Sequence, residues 1–285
     1  AAPCAAGCAS GSDVRTWIGI VAQRDRTGLD KEQAYKQAWQ TITDANPFPS
    51  VLGRICPHPC ELGCNRSGDD GAVAVNALER FLGDWAIEEG LGLGVIDAEP
   101  KSESMGVIGA GPSGLSFAYQ MARRGYPVTV YERRPMAGGM LRYGVPDYRL
   151  PPEVLSAEID RIRRLGVEIR TNTAIGSDIS IEELRAAHDV LYLGIGAQLP
   201  RLLGIPGEDG PGVFTGTDYL SRVNEGEAVD VGARVVVVGG GNTAIDAARV
   251  ARRTGAEVGL LYRRTRTEMP AIGAEVDKAI AEGIA

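Results

Sequence analysis

The chain has 285 residues, 44% of them hydrophobic, and a net charge of −7. An acidic balance argues against a nucleic-acid binder, and no apolar run reaches the length of a membrane span, so a soluble, cytoplasmic protein of two or three domains is expected. Five cysteines, all at or before Cys64, do not form a distributed disulfide framework, and no charged-then-apolar leader precedes them, which fits a reducing compartment. The sequence opens inside a cysteine cluster without a methionine and stops inside a helical pattern, so it reads as part of a longer polypeptide.

Residues 1–98 read as an α-helical domain, with amphipathic periodicity around Asp13 to Arg24, Lys31 to Thr41 and Val75 to Glu89. The cysteines lie between these runs. Cys4 and Cys8 form a C-x3-C pair, and RICPHPCELGCNR spaces Cys56, Cys60 and Cys64 four residues apart. Pro57 and Pro59 exclude a regular helix there, which puts the thiols on a turning loop whose backbone amides can face sulfur. Proline-flanked thiolates suit iron–sulfur ligation; structural zinc is the rival, although it usually takes C-x2-C pairs. His58, between the prolines, reads as a loop histidine and not as a ligand. The polar stretch Ala98 to Ser104 (AEPKSES) marks a boundary.

A second domain is expected over 104–225. Met105 to Glu132 (MGVIGAGPSGLSFAYQMARRGYPVTVYE) combines an apolar strand, a glycine turn, a helix and a second strand closed by an acid. In such a βαβ unit Gly109 makes the tight turn, Gly111 clears the approach of a pyrophosphate, and Gly114 lets the helix lie close to the sheet. Pro112 and Ser113 open the helix, whose N-terminal amides favour an anion. Glu132, 23 residues after Gly109, stands where a carboxylate can accept from an adenosine ribose. Next comes a long non-periodic stretch, RRPMAGGMLRYGVPDYRLPPEVL, of a length that is usually functional. A helix over Pro152 to Leu165, the strand VEIRTNT and a helix from near Ser180 follow. HDVLYLGIGA is predicted to be a buried strand ending in a turn at Gly194 and Gly196, again candidates for close approach to a cofactor.

A third domain is expected over 226–285, where ARVVVVGGGNTAIDAARVARRTGAEVGLLYRR repeats the βαβ logic. Gly239 and Gly241 take the first two glycine positions and Ala244 the third, with Asn242 and Thr243 at the helix start. The second strand ends in Tyr262-Arg263-Arg264 and no acid. Guanidinium groups there suit the extra phosphate of NADP better than a free ribose hydroxyl, the alternative being a solvated basic turn. The fold class expected is therefore α/β, with two Rossmann-type dinucleotide-binding domains behind an α-helical iron–sulfur domain.

The order of cysteine loops, GGMLRYGVPDYRLP, the GIGA turn, GGGNTAID and YRRTRTEMPA resembles the small subunit of NADPH-dependent glutamate synthase and its relatives. Those relatives include the electron-input half of dihydropyrimidine dehydrogenase and flavin subunits of bacterial oxidoreductase complexes. The resemblance implies FAD on the first unit, NADP(H), with NAD as an alternative, on the second, and two [4Fe–4S] clusters in the N-terminal domain. It matches Gly109, Gly111, Gly114, Glu132, Gly139, Met140 and Arg149 to FAD-binding positions, and Ile55 to a residue whose backbone lies near the isoalloxazine. It also implies that Cys8, Cys56 and Cys60 bind one cluster with Glu79 as fourth ligand, where sequence alone reads a surface helix acid. Cys4 and Cys64 would then be half of a second site, completed by cysteines N-terminal to this sequence. A larger catalytic subunit or a ferredoxin-like protein is the implied electron partner. The competing readings are a self-contained flavin reductase, which would want a redox cysteine pair that does not occur after Cys64, and a zinc-stapled interaction module.

Overall fold

The computed structural model describes residues 2–200 and 202–285. They divide into two compact units, Ala1–Gly138 with Leu150–Gly196, and Gly139–Arg149 with Ala197–Ala285. The first unit opens with α1 (Pro3–Gly7), α2 (Val14–Ala22), α3 (Arg24–Thr27), α4 (Lys31–Thr43), α5 (Pro49–Ile55), α6 (Pro59–Leu62) and α7 (Val75–Glu88). Local chemistry sets their starts. Asp13 accepts from the Thr16 amide, Asp30 and Gln33 form a capping box, and prolines occupy the first turns of α1, α5 and α6, where a missing N–H costs nothing. Trp17, Trp39, Ile42, Val51 and Leu82 fill the space between these helices.

The closest approach in this region is between α5 and α7. A Cβ added at Gly53 would collide with the backbone of Arg80, and one at Gly83 with the backbone of Ser50, so the two helices meet main chain to main chain. Polar groups fix the same pair. Arg54 clasps Asp84 through two nitrogens at 2.6 and 2.9 Å, Ser50 Oγ donates to Asp84, and Asn76 Nδ2 donates to the Leu52 carbonyl at 3.0 Å.

The chain continues through β1 (Met105–Ile108), α8 (Pro112–Ala122) and β2 (Val128–Tyr131), then α9 (Met140–Tyr143), which belongs to the second unit. It returns to the first unit with α10 (Pro152–Arg163), β3 (Glu168–Arg170), α11 (Ile181–Ala187) and β4 (Val190–Leu193). The strands form one parallel sheet in the order β3-β2-β1-β4, with Val107 opposite both Val130 and Tyr192. Strand β1 is buried throughout. The sheet layer is tied to the helical region by Tyr119 Oη donating to the Thr43 carbonyl at 2.5 Å, Arg123 pairing with Asp44 at 2.8 Å, and Glu158 accepting from Ser50 and Val51. One expectation is corrected: β4 is not a buried strand, since Val190 is 43% and Leu193 65% exposed. It is an edge strand bonded only to β1 among the described residues, so enclosure on both faces does not extend to it.

The second unit adds α12 (Gly216–Asn224), β5 (Arg234–Val238), α13 (Asn242–Arg253), β6 (Glu257–Leu261) and α14 (Gly273–Ala281). β5 and β6 pair in parallel, and one face packs on α12, α13 and α14 through Leu220, Ile245, Val258 and Val276. On the other face Val236 and Leu261 are exposed. The stretch Gly139–Arg149 is held within this unit, where Asn224 Nδ2 donates to the carbonyls of Arg142 and Val145 at 3.1 and 2.9 Å.

The main-chain contact between α5 and α7 leaves no room for a methyl group, and overpacking of this kind typically costs about 1–3 kcal/mol. Gly83→Ala is therefore expected to lower the thermal midpoint of the folded protein, measured by circular dichroism, whereas Gly92→Ala, with no neighbour at its Cβ, changes it less.

Candidate functional site

Three cysteines and one acid line a single cavity of about 120 Å³ in the first unit: Cys8, Cys56, Cys60 and Glu79. Helix α5 ends at Ile55, and Cys56 is extended, with its amide donating back to the Leu52 carbonyl. Pro57 and Pro59 flank His58, which takes a left-handed conformation with φ of 42°. That reversal starts the short α6, which carries Cys60, so the expected turning loop contains one helical turn. The His58 amide donates to Cys56 Sγ at 3.3 Å. Cys8 follows α1, which lies so close to α6 that a Cβ at Gly7 would stand 3.2 Å from the Pro59 carbonyl oxygen. His58 also lines the cavity and does not leave the loop.

Glu79 projects from α7 and accepts from Asn46 Nδ2 at 2.8 Å. Burial pushes its carboxyl up to about 7, against the opposing pull of that hydrogen bond. It is thus not the solvated helix acid that its local sequence suggests. Burial also raises Cys56, partly offset by the His58 amide, and burial together with the charge of Glu61 pushes Cys60 up to about 11. Without a metal these thiols are protonated at neutral pH, so loading an iron cluster here must release protons. Among the described residues no three His, Cys, Asp or Glu side chains converge on one ion; the sulfurs surround a space and do not meet at a point. A thiolate-ligated cubane, whose irons stand at separate corners, fits such a donor set better than a single tetrahedral ion. Cys4, on α1, and Cys64, after α6, lie outside this lining.

The first glycine loop connects β1 to α8. Gly109 has φ of 100°, and a Cβ there would stand 2.5 Å from the Gly194 carbonyl oxygen, so two loops touch at that point. A Cβ at Gly114 would run into the Gly109 carbonyl, and one at Gly194 would come within 3.1 Å of Gly114 Cα. Gly111 caps α8 in an extended conformation, followed by Pro112 and Ser113. Glu132 is buried at the end of β2. Its two carboxylate oxygens accept from the Ala110 amide at 2.8 Å and the Arg134 amide at 2.9 Å. The acid thus braces the glycine turn from within, and each oxygen keeps a lone pair for a further donor. Ser113 is exposed, and its hydroxyl is 2.7 Å from Tyr192 Oη, whose ring stacks on Phe117 with centroids 4.2 Å apart. Gly196, with φ of 69°, is exposed at the end of the first unit, and Ile55 is half-buried.

In the second glycine loop Gly239 has φ of 143°, and a Cβ at Gly241 would meet nothing in the protein, so packing does not account for the missing side chain. Glycine spacing alone gives no reason for Gly240. A Cβ there would stand 2.6 Å from the ring of Tyr262, which lays the end of β6 flat on the loop. Asn242 Oδ1 accepts from the Ile272 amide at 2.9 Å, and Thr243 packs beside Gly216; these two side chains hold the scaffold. Arg263 and Arg264 are exposed after Tyr262. Arg266 pairs with Asp277.

Gly139, Met140 and Arg149 fall in the second unit. Met140 is 37% exposed. Arg149, matched by the resemblance to a FAD-binding position, donates to Asp246 Oδ2 at 2.6 Å and lies 3.8 Å from Glu275. Arg249, paired with Glu275 and Glu282, completes this buried network, with Tyr148 under the guanidinium groups of Arg249 and Arg253 at 4.5 and 3.9 Å. A buried guanidinium takes the nearest carboxylates, and here these come from α13 and α14.

Fold and loops together define the class: glycine-turn βαβ units of the dinucleotide-binding type, with a cavity lined by cysteines. Residues 104–285 match the family profile described as pyridine nucleotide-disulphide oxidoreductase, and residues 1–91 match that described as dihydropyrimidine dehydrogenase domain II, 4Fe-4S cluster. The chain belongs to the pyridine nucleotide-disulphide oxidoreductase family. It is 42% identical over 289 residues to the NADPH-Fe(3+) oxidoreductase subunit beta of Geobacter sulfurreducens, covering 99% of this chain and 42% of that protein. It is 38% identical to the NADP(+)-dependent formate dehydrogenase subunit beta of Moorella thermoacetica, with the same coverage of 99% and 42%. The glutamate synthase [NADPH] small chain of Escherichia coli is 34% identical, over 90% of this chain and 57% of its own length. The chain thus spans about two fifths to three fifths of the curated relatives it matches. In fold it is similar to FprA from Mycobacterium tuberculosis in complex with NADPH, with a TM-score of 0.57 at 24% identity over 64% of this chain and 48% of that one. No helix among the described residues is long and apolar enough to cross a membrane.

The raised position of Glu79 has a pH signature in the cluster-free protein. Its contribution to stability is fully present below its unfolded value near 4.5 and is lost as pH rises through about 7. Glu79→Gln should flatten that part of the stability–pH curve, measured by urea melts between pH 5 and 8; an unchanged slope would contradict the burial of this carboxyl.

Proposed function

We propose that this chain works in an electron-input subunit that takes reducing equivalents from NADPH and passes them through FAD and [4Fe–4S] clusters to a partner catalytic subunit or ferredoxin-like protein. The observation that carries this reading is the lining of one cavity by Cys8, Cys56, Cys60 and Glu79, in the same compact unit as the Gly109–Gly114 loop. Nicotinamide, flavin and iron–sulfur groups supply hydride and single-electron chemistry when bound, so the protein needs no nucleophile or acid–base pair of its own. The family resemblance supports the finer architecture, two Rossmann-type domains over 104–225 and 226–285 behind an iron–sulfur domain over 1–98. A cytoplasmic location follows from the same reading.

The residues divide the work. Cys8, Cys56, Cys60 and Glu79 would hold one cluster; an oxygen donor in place of a fourth thiolate changes ligand charge and donor type, which tunes potential. Cys4 and Cys64 would contribute to a second. The Gly109, Gly111 and Gly114 turn and the first amides of α8 would seat the FAD pyrophosphate, with Pro112 starting the helix and Glu132 accepting from ribose hydroxyls through its remaining lone pairs. Ile55, the last residue of α5, would stand beside the flavin ring. Gly239 and Gly241 would receive the pyrophosphate of NADP(H), and Arg263 and Arg264 its 2′-phosphate, since both are exposed at the end of β6. Gly139, Met140 and Gly196 would line the flavin side of the long loop and the GIGA turn. The partner named for relatives differs from one to the next, so the acceptor of the electrons is not specified by this chain.

Two measurements on the intact complex test these roles. Arg263→Ala should lose more affinity for NADPH than for NADH in steady-state kinetics; equal losses would remove the 2′-phosphate from its role. Glu132→Ala should release FAD at a protein concentration where the parent retains it, read by the flavin absorbance that passes through a desalting column, and full retention would overturn the ribose assignment.

A further inference from the structure

The most enclosed carboxylate in the molecule serves none of the roles above. Glu158, on α10, has no solvent exposure, and its oxygens accept from the amides of Ser50 at 2.8 Å and Val51 at 3.1 Å. These are first-turn amides of α5, which lack intrahelical partners, and a carboxylate in that position satisfies them and opposes the helix dipole. Ser50 and Glu158 are 108 residues apart in sequence, so the contact joins the helical region to the dinucleotide-binding sheet layer. Arg161, one turn along α10, lies 3.9 Å from the same carboxylate, and its guanidinium stacks on Trp39 at 5.1 Å. Nη1 and Nη2 of Arg161 have no hydrogen-bond partner among the described residues, and Glu158 is the carboxylate with which the guanidinium pairs.

The opposite end of α5 matters for electron transfer. The helix is seven residues long, and its last residue, Ile55, is followed at once by Cys56. One face of α5 is fixed against α7, which carries Glu79, by the main-chain contacts at Gly53 and Gly83 and by the Arg54–Asp84 clasp. The carboxylate of Glu158 adds a hold from α10 at the start of the helix, the end opposite Cys56. We propose that Glu158 is a positioning residue through which the flavin-side domain sets the seat of Cys56, and hence the coupling of flavin to the nearest cluster. This rests on Cys56 being a cluster ligand. Burial pushes Glu158 up to about 8, against the two amides that favour its charged form; glutamine keeps one of the two acceptors and sets its NH2 against the other N–H, whereas truncation orphans both amides and is the severer change.

The test uses the full-length flavo-iron–sulfur protein in its complex, with Glu158→Ala, Glu158→Gln and Cys56→Ser compared for iron content, reduced-cluster EPR spectrum and cluster reduction potential. Glu158→Ala is expected to shift the EPR signal and the potential of one cluster while FAD stays bound, with Glu158→Gln, which keeps one of the two acceptors, shifting them less. Parent spectra and potentials in both Glu158 variants, accompanied only by a lower melting temperature, would overturn the proposal. Cys56→Ser separates the two claims: if it leaves every cluster signal unchanged, the ligand reading fails, and if it alters one while the Glu158 variants do not, only the positioning role fails. Should neither Glu158 variant fold, hydrogen–deuterium exchange on the unaltered protein decides. Ser50 and Val51 amides bonded to a buried carboxylate must be strongly protected, and rapid exchange at both would overturn the proposal.

Discussion

The contact on which the cluster site depends is the one between the backbones of α5 and α7. Two glycines, Gly53 and Gly83, let these helices approach until main chain meets main chain. That distance fixes Cys56, just past the end of α5, relative to Glu79, in the middle of α7, and both line the same cavity. Dispersion across such an interface is short-ranged, so a separation larger by even one methyl group would forfeit much of it. The polar pairs around it, Arg54 with Asp84 and Asn76 with the Leu52 carbonyl, set rotation and register more than they add stability.

The same economy of distance governs both dinucleotide loops. At the first, Gly109, Gly114 and Gly194 bring strand, helix and a neighbouring turn within van der Waals contact, and Glu132 ties the turn down from the end of β2. At the second, Gly240 admits the ring of Tyr262, and Gly241 leaves open space. The two loops share a scaffold and differ at the closing strand, acidic in one and basic in the other, which is the difference between recognising a ribose hydroxyl and a phosphate.

Much of this was legible in the sequence because it is local. Glycine spacing, proline-flanked cysteines and the residue that closes a second strand are written within thirty or so positions of each other, the span of one βαβ unit. What escaped was long-range. Glu158 reads as an ordinary acid on an amphipathic helix until Ser50 arrives from 108 positions away. Nothing around Arg149 in its own motif signals that its guanidinium meets Asp246, 97 positions later. Gly240 looked like one glycine of three, and only the Tyr262 ring explains it. β4 carried an apolar sequence that predicts burial, but the strand order puts it at an edge. Glu79 was recovered only through resemblance, since nothing adjacent to it distinguishes a cavity acid from a surface one.

The central claim is that Cys8, Cys56, Cys60 and Glu79 hold one four-iron cluster. Replacing Glu79 by cysteine offers that cluster a fourth thiolate without disturbing the other ligands. The account predicts that, in the full-length protein, one cluster keeps its iron and changes its reduction potential and EPR signature while the other stays as it was. Potentiometric titration followed by EPR that shows both clusters unaltered in Glu79→Cys would contradict it.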